Sequence, residues 1–271
     1  AGAKRRPRRK PRGPRFTLEG DGERTLVQYH WSESEISIPP NEGIVSIGPQ
    51  AFCSTARIKL VATTPPICKS EFIEAVRIPE GVKSISAEAF MGCVNLKTIE
   101  LPSTLESIGD SAFCGCKNLQ TALLPEQIRL IGESAFSKTG LREISIPGRC
   151  SVSRRAFSGC EQLKAAKFDS GIGEFGAECF DGCDALEQVK LPGILASIPE
   201  GAFRGCCRLL DVRMPDCVAD IGIEAFKGCA NLPEIPMPSG LVSIEESAFS
   251  ECCSIEEAVI PEGVEEIADP V

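Results

Sequence analysis

The fold is decided by residues 89–111, AFMGCVNLKTIELPSTLESIGDS, after which Ala112-Phe113 starts the same pattern again. Counting from Phe90, apolar residues recur at Leu96, Ile99, Leu101, Leu105 and Ile108. Ile99 and Leu101 alternate with Thr98 and Glu100, which is the period of a half-buried strand. Pro102 stops that strand, because proline has no N–H to give a ladder. The back half, Leu105 to Phe113, has apolar spacings that fit a short 3₁₀ turn or a bent strand.

The Ala-Phe pair, Cys179-Phe180 in one unit, carries the pattern along the chain, at Phe52, Phe90, Phe113, Phe136, Phe157, Phe180, Phe203, Phe226 and Phe249. Six of the eight gaps are 23 residues, one is 21 and one is 38. A 23-residue unit is too short for the helix pair of an unit of about 34 residues, but suits one strand and a return segment. The expected fold is therefore a β-solenoid of about nine to ten such coils, each burying its apolar residues against its neighbours. At about 4.8 Å per coil the stack is roughly 45 Å long.

The unit AFxGCxxLxxIxLPxxLxxIG resembles the BspA-like leucine-rich repeat over residues 36–271. That resemblance implies a parallel concave sheet with short 3₁₀ or strand segments on the convex side. It also implies adhesion or interaction roles, often at cell surfaces, with no catalytic activity and no cofactor.

Some stretches depart from the pattern. Between Phe52 and Phe90 lie 15 surplus residues, a loop insertion or a decayed coil. The unit after Phe136 is two residues short and replaces the Gly-Cys turn with SKTG. Residues 16–35 read as an N-terminal cap, with two β-like runs around Gly20-Asp21-Gly22 forming a hairpin. The same segment holds the single His30, beside Tyr29 and Trp31, with no nucleophile or carboxylate at telling spacing. At the other end Val264 and Ile267 keep the register and place the next Phe one position past Val271, so the array is expected to continue. The start at Ala1 implies processing or a longer product.

Fifteen cysteines invite a chemical reading. Seven of them (Cys93, Cys116, Cys160, Cys183, Cys206, Cys229 and Cys252) stand three residues after a repeat Phe, which makes them one column of small buried side chains. The Gly before each of the first six is expected to adopt positive φ. There is no C-x-x-C, and one His cannot build a zinc site, so reduced thiols and an intracellular setting are favoured, with the cell surface as alternative. Gly171 to Gly176 matches G-x-G-x-x-G, but Ile172, Phe175 and Gly176 occupy the repeat positions of Leu105, Ile108 and Gly109. The repeat explains the match without a nucleotide.

Charge is divided unevenly. Residues 1–15 form a basic arm expected to be disordered, with Lys4, Arg5, Arg6, Arg8, Arg9, Lys10, Arg12 and Arg15 among interleaved prolines. Without the arm the chain holds 21 basic against 38 acidic residues. The arm suits an anionic surface, nucleic acid or import factor, or is simply a solvated linker; it has no aromatics for base stacking. No stretch reaches the roughly 18 apolar residues of a spanning helix.

Binding is expected on the outward strand positions, which line the open face of such a solenoid. These are Thr98, Glu100, Thr121, Leu123, Glu143, Ser145, Ala165, Lys167, Gln188, Lys190, Asp211, Arg213, Glu234 and Glu257. Their mixed charges suit a polar protein partner, not a small-molecule substrate. The expected function is a non-catalytic scaffold for protein–protein interaction.

Overall fold

The computed structural model describes residues 16–20, 24–29, 35–38, 43–52, 73–169, 171, 173–235 and 237–268. Strands are numbered in chain order. A hairpin of β1 (Phe16–Glu19) and β2 (Arg24–Tyr29) pairs antiparallel, and β2 then pairs in parallel with β4 (Ile44–Ile47). Beyond it the chain winds as a β-solenoid with two parallel ladders, and no helix occurs among the described residues.

The first ladder is built from the alternating segment of each unit. It holds β3 (Glu35–Ser37), β5 (Ala75–Arg77) and β7 (Thr98–Glu100), then β10 (Glu143–Ile146), β12 (Ala165–Phe168), β13 (Gln188–Lys190) and β15 (Asp211–Arg213). Between the two groups only a bridge from Thr98 to Thr121 continues it. Alternation puts Ile99, Ile144, Ala166, Val189 and Val212 in the core and their neighbours outside.

The second ladder settles the return segment as strand. It runs through β4, β6 (Ser84–Ile85), β8 (Ser107–Ile108), β9 (Leu130–Ile131) and β11 (Ser151–Val152). After a bridge from Val152 to Phe175 it resumes as β14 (Ser197–Ile198), β16 (Asp220–Ile221), β17 (Ser243–Ile244) and β18 (Glu266–Ile267). Apart from the four-residue β4, each of these strands has two residues, the second of them an Ile or Val.

The Ala-Phe corner closes the coil. Phe90 N–H donates to the Ala112 carbonyl at 2.8 Å, and Phe113, Phe136, Phe203 and Phe226 repeat that bond to the next coil. The rings from Phe52 to Phe249 stack in one row, with centroids 4.6 to 5.7 Å apart. Two backbone positions per corner are left-handed. Gly92, Gly115, Gly159, Gly182, Gly205 and Gly228, two residues after the Phe, have φ of 68–76° as the sequence required. Two residues before the Phe, Glu88, Ser111, Ser134, Arg155, Glu178, Glu224 and Ser247 have φ of 53–58° without being glycine.

The surplus after Phe52 is an insertion and not a coil. Phe52 and Phe90 stack at 4.6 Å, and Phe52 N–H donates to the Ala89 carbonyl at 2.7 Å, so they belong to consecutive turns. The inserted stretch itself falls in residues 53–72, outside the described residues, as do the basic arm and His30.

Candidate interaction face and the groups beneath it

Most of the tempting chemistry is spoken for by the fold. The thiol of Cys116 donates to the Phe90 carbonyl at 3.2 Å, and Cys183, Cys206, Cys229 and Cys252 each reach the carbonyl of the Phe one coil back at 3.1–3.2 Å. In the short unit Lys138 takes the glycine position at φ 56°, and Thr139 takes the cysteine position, hydrogen-bonded to Cys160 at 3.1 Å. Burial pushes the Cys150 thiol up to about 12, and pushes Cys179 and Cys206 well above the ordinary range. Such thiols stay reduced because nothing reaches them, so they say nothing about compartment, and the intracellular expectation loses its basis. Cys207, Cys217 and Cys253 are exposed.

The G-x-G-x-x-G stretch behaves as ordinary repeat. Gly176 N–H donates to the Val152 carbonyl, as Gly109 does to Ile85 and Gly132 to Ile108. A Cβ on Gly176 would lie 2.4 Å from Ser153, so close coil packing requires the glycine. No helix follows it, and Ile172 lies outside the described residues.

Among the described residues one charged group is buried. Glu178, 2% exposed, accepts hydrogen bonds from Arg154 and Arg155 of the preceding coil and faces Arg204 of the next at 3.4 Å. Arg204 also bonds Asp181 at 2.9 Å and Glu224 at 2.8 Å. Burial alone would raise the Glu178 pKa, but the hydrogen bonds from Arg154 and Arg155 outweigh it and hold the carboxyl below its usual value. The arrangement ties successive coils together at the Ala-Phe corner. Spacings of 23–26 residues hid it from any local motif. Among the described residues no cluster of three or more His, Cys, Asp or Glu could hold a metal ion.

What remains is the open face of the first ladder. Thr98, Glu100, Thr121, Leu123, Glu143, Ser145, Lys167, Gln188, Lys190 and Arg213 point outward and are exposed, while Ala165 and Asp211 are half-buried. Glu234 and Glu257 are exposed but lie outside the ladder strands, which end at β15. Pro233 and Pro238 remove donors from that coil.

Register sorts these side chains into two rows. Glu143, Ala165, Gln188 and Asp211 pair in succession, and so do Ser145, Lys167, Lys190 and Arg213. Two depressions lie along the rows. One of about 370 Å³ has Leu123, Leu124 and Ile144 among its lining, and one of about 220 Å³ has Val189 among its lining; both are lined by Ala165 and Lys167. Leu123 stands 86% exposed at the first.

The chain belongs to the BspA type leucine rich repeat family, whose model matches six copies over residues 66–184 and 150–271. Among solved structures it is similar to the leucine rich repeat protein of T. pallidum, at 24% identity and a TM-score of 0.58, over 81% of this chain and 88% of that one. That likeness supports the fold. It also matches a leucine-rich repeat protein from Bacteroides ovatus ATCC 8483, at 21% identity over 94% of this chain and 90% of that one, with a TM-score of 0.46. No curated protein sequence matches this chain. No helix among the described residues is long and apolar enough to cross a membrane.

Proposed function

We propose that this protein is a non-catalytic scaffold that binds another protein across the outer face of β10, β12, β13 and β15. The observation that carries the reading is the pair of adjoining depressions over these strands, about 370 and 220 Å³, which share Ala165 and Lys167 as lining. The second ladder presents mainly small outward residues such as Ser84, Ser107, Ser151, Ser197 and Ser243, and the Ala-Phe corner carries the ion pairs that join coils. Membership of a leucine-rich-repeat family supports an interaction role, since stacked repeats offer long continuous faces.

A photoreactive residue at Ser145 or Gln188 tests this in the protein's own cell extract. A discrete crosslinked species from these positions, and none from Ser107 or Ser197, is the expected result. Equal labelling from both ladders, or labelling only through residues 1–15, would overturn it.

A further inference from the structure

We propose that Lys167, Lys190 and Arg213 form a docking strip for the carboxylates of a short extended acidic peptide segment, whose apolar residue fills the neighbouring depression over Leu123 and Leu124. This rests on the reading of the face as an interaction surface and names its partner's chemistry.

Among the described strand pairs of the first ladder, this strip is where like charges meet in register. Lys167 pairs in register with Lys190, and Lys190 with Arg213, so three cations stand on consecutive strands about 4.8 Å apart. Like charges directly opposite each other destabilise a sheet. Several residues one coil apart elsewhere are complementary: Arg77 meets Glu100, Lys97 meets Glu74 at 2.8 Å, Lys83 meets Glu106 at 3.6 Å, and Ser243 meets Asp220 at 2.9 Å. Among the described residues Lys167 and Lys190 have no carboxylate in ion-pair reach. Arg213 has only Asp211 of its own strand, at 3.3 Å, and its side chain is 75% exposed. In a chain with 38 acidic residues against 29 basic, an uncompensated basic row is a feature that a binding role accounts for and folding does not.

Charge complementarity selects the occupant. The adjoining depression is lined by the apolar Leu123, Leu124 and Ile144 together with Glu126, Glu143 and Asp169. Those carboxylates repel a continuing polyanion, so nucleic acid or a sulfated glycan fits the strip but not its surroundings. An acidic stretch that gives way to an apolar residue matches both halves. Leu123 and Arg213 are four coil steps apart, about 19 Å, which about six residues of extended chain span.

The test pans a displayed random hexapeptide library on the full chain, with Lys167→Glu/Lys190→Glu, Lys167→Gln/Lys190→Gln and Leu123→Asp variants alongside. Thermal melting confirms that each variant is folded, and the glutamine pair serves if the glutamate pair is not. The expected selection carries two or more Asp or Glu and one apolar residue, falls at least tenfold on the lysine variants, and loses its apolar preference on Leu123→Asp. Acidic peptides that bind the lysine variants undiminished would overturn the proposal. Neutral or basic peptides lost on Leu123→Asp would overturn the acidic partner while leaving the interaction face standing. Peptides indifferent to every variant, or no enrichment at all, would overturn both. Heparin or single-stranded DNA displacing the peptides at equal or lower concentration would replace the peptide with a polyanion.

Discussion

The thiol of Cys116 reaches the carbonyl of Phe90, one coil back, at 3.2 Å, and that oxygen already accepts the Cys93 N–H at 3.1 Å. The thiol therefore provides a second hydrogen bond to an oxygen that would otherwise retain one. Cys116→Ala should cost only about 1 kcal/mol, chiefly lost packing, since no acceptor is orphaned. Thermal unfolding of the variant measures it; a loss several times larger would mean that the thiol hydrogen bond dominates.

Thiol chemistry should divide the cysteines by burial. At mildly alkaline pH Cys207, Cys217 and Cys253 should alkylate rapidly in the native protein. Cys150, pushed up to about 12, and Cys179 and Cys206, raised well above the ordinary thiol range by burial, should react only after denaturation. Site-resolved mass spectrometry after timed iodoacetamide exposure reads both groups.

Much of this was legible in the sequence, because the repeated Phe set the coil length and Pro102 and its equivalents set where strands stop. The glycine turns were legible too, since glycine advertises positive φ. The left-handed residues before each Phe were not, because Glu88, Ser111 and Arg155 carry no such signal and only the corner's hydrogen bonds hold them there. The outward rows could be named by alternation alone. Lys167, Lys190 and Arg213 stand 23 residues apart, so their common position was legible from the repeat; that they are direct partners on neighbouring strands came from the pairing register.

Strain at the left-handed positions should be measurable. Lys138 sits at φ 56° where other coils use glycine, so Lys138→Gly relieves about 1–2 kcal/mol, offset by about 0.5–1 kcal/mol of added unfolded-state freedom. A net gain of roughly 0.5 kcal/mol in denaturant unfolding is expected. Gly115→Ala, at φ 76° with no close atom to meet, should destabilise by about 1 kcal/mol through the backbone alone.

Acid should loosen the corner at Glu178. Its folded pKa is below the ordinary value, so its contribution is complete above the usual carboxylate range and is lost as pH falls through the folded pKa. Glu178→Gln should remove that part of the acid dependence. It should cost about 1–2 kcal/mol at neutral pH, moderated because Arg154 and Arg155 are half exposed and can rehydrate. Melting curves from pH 3 to 7 for both proteins check the sign.

Reversing the middle of the basic strip should stabilise the fold. Lys190→Glu turns two like-charge contacts into attractive ones, worth roughly 0.2–1 kcal/mol each at low salt and less at high salt. An increase in melting temperature that fades with added salt is the expected result.

The two-residue shortfall after Phe136 has a bearing on how the chain finds its place. Coils of equal length and equal corners are interchangeable, so a strand that docks one whole unit out of line would make nearly every native contact. Only a coil unlike its neighbours marks an absolute position. With Lys138 in the glycine place and Thr139 opposite Cys160, the coil after Phe136 is a landmark against which the others are counted. Regularising it would leave the finished stack much the same while making misaligned assembly harder to correct.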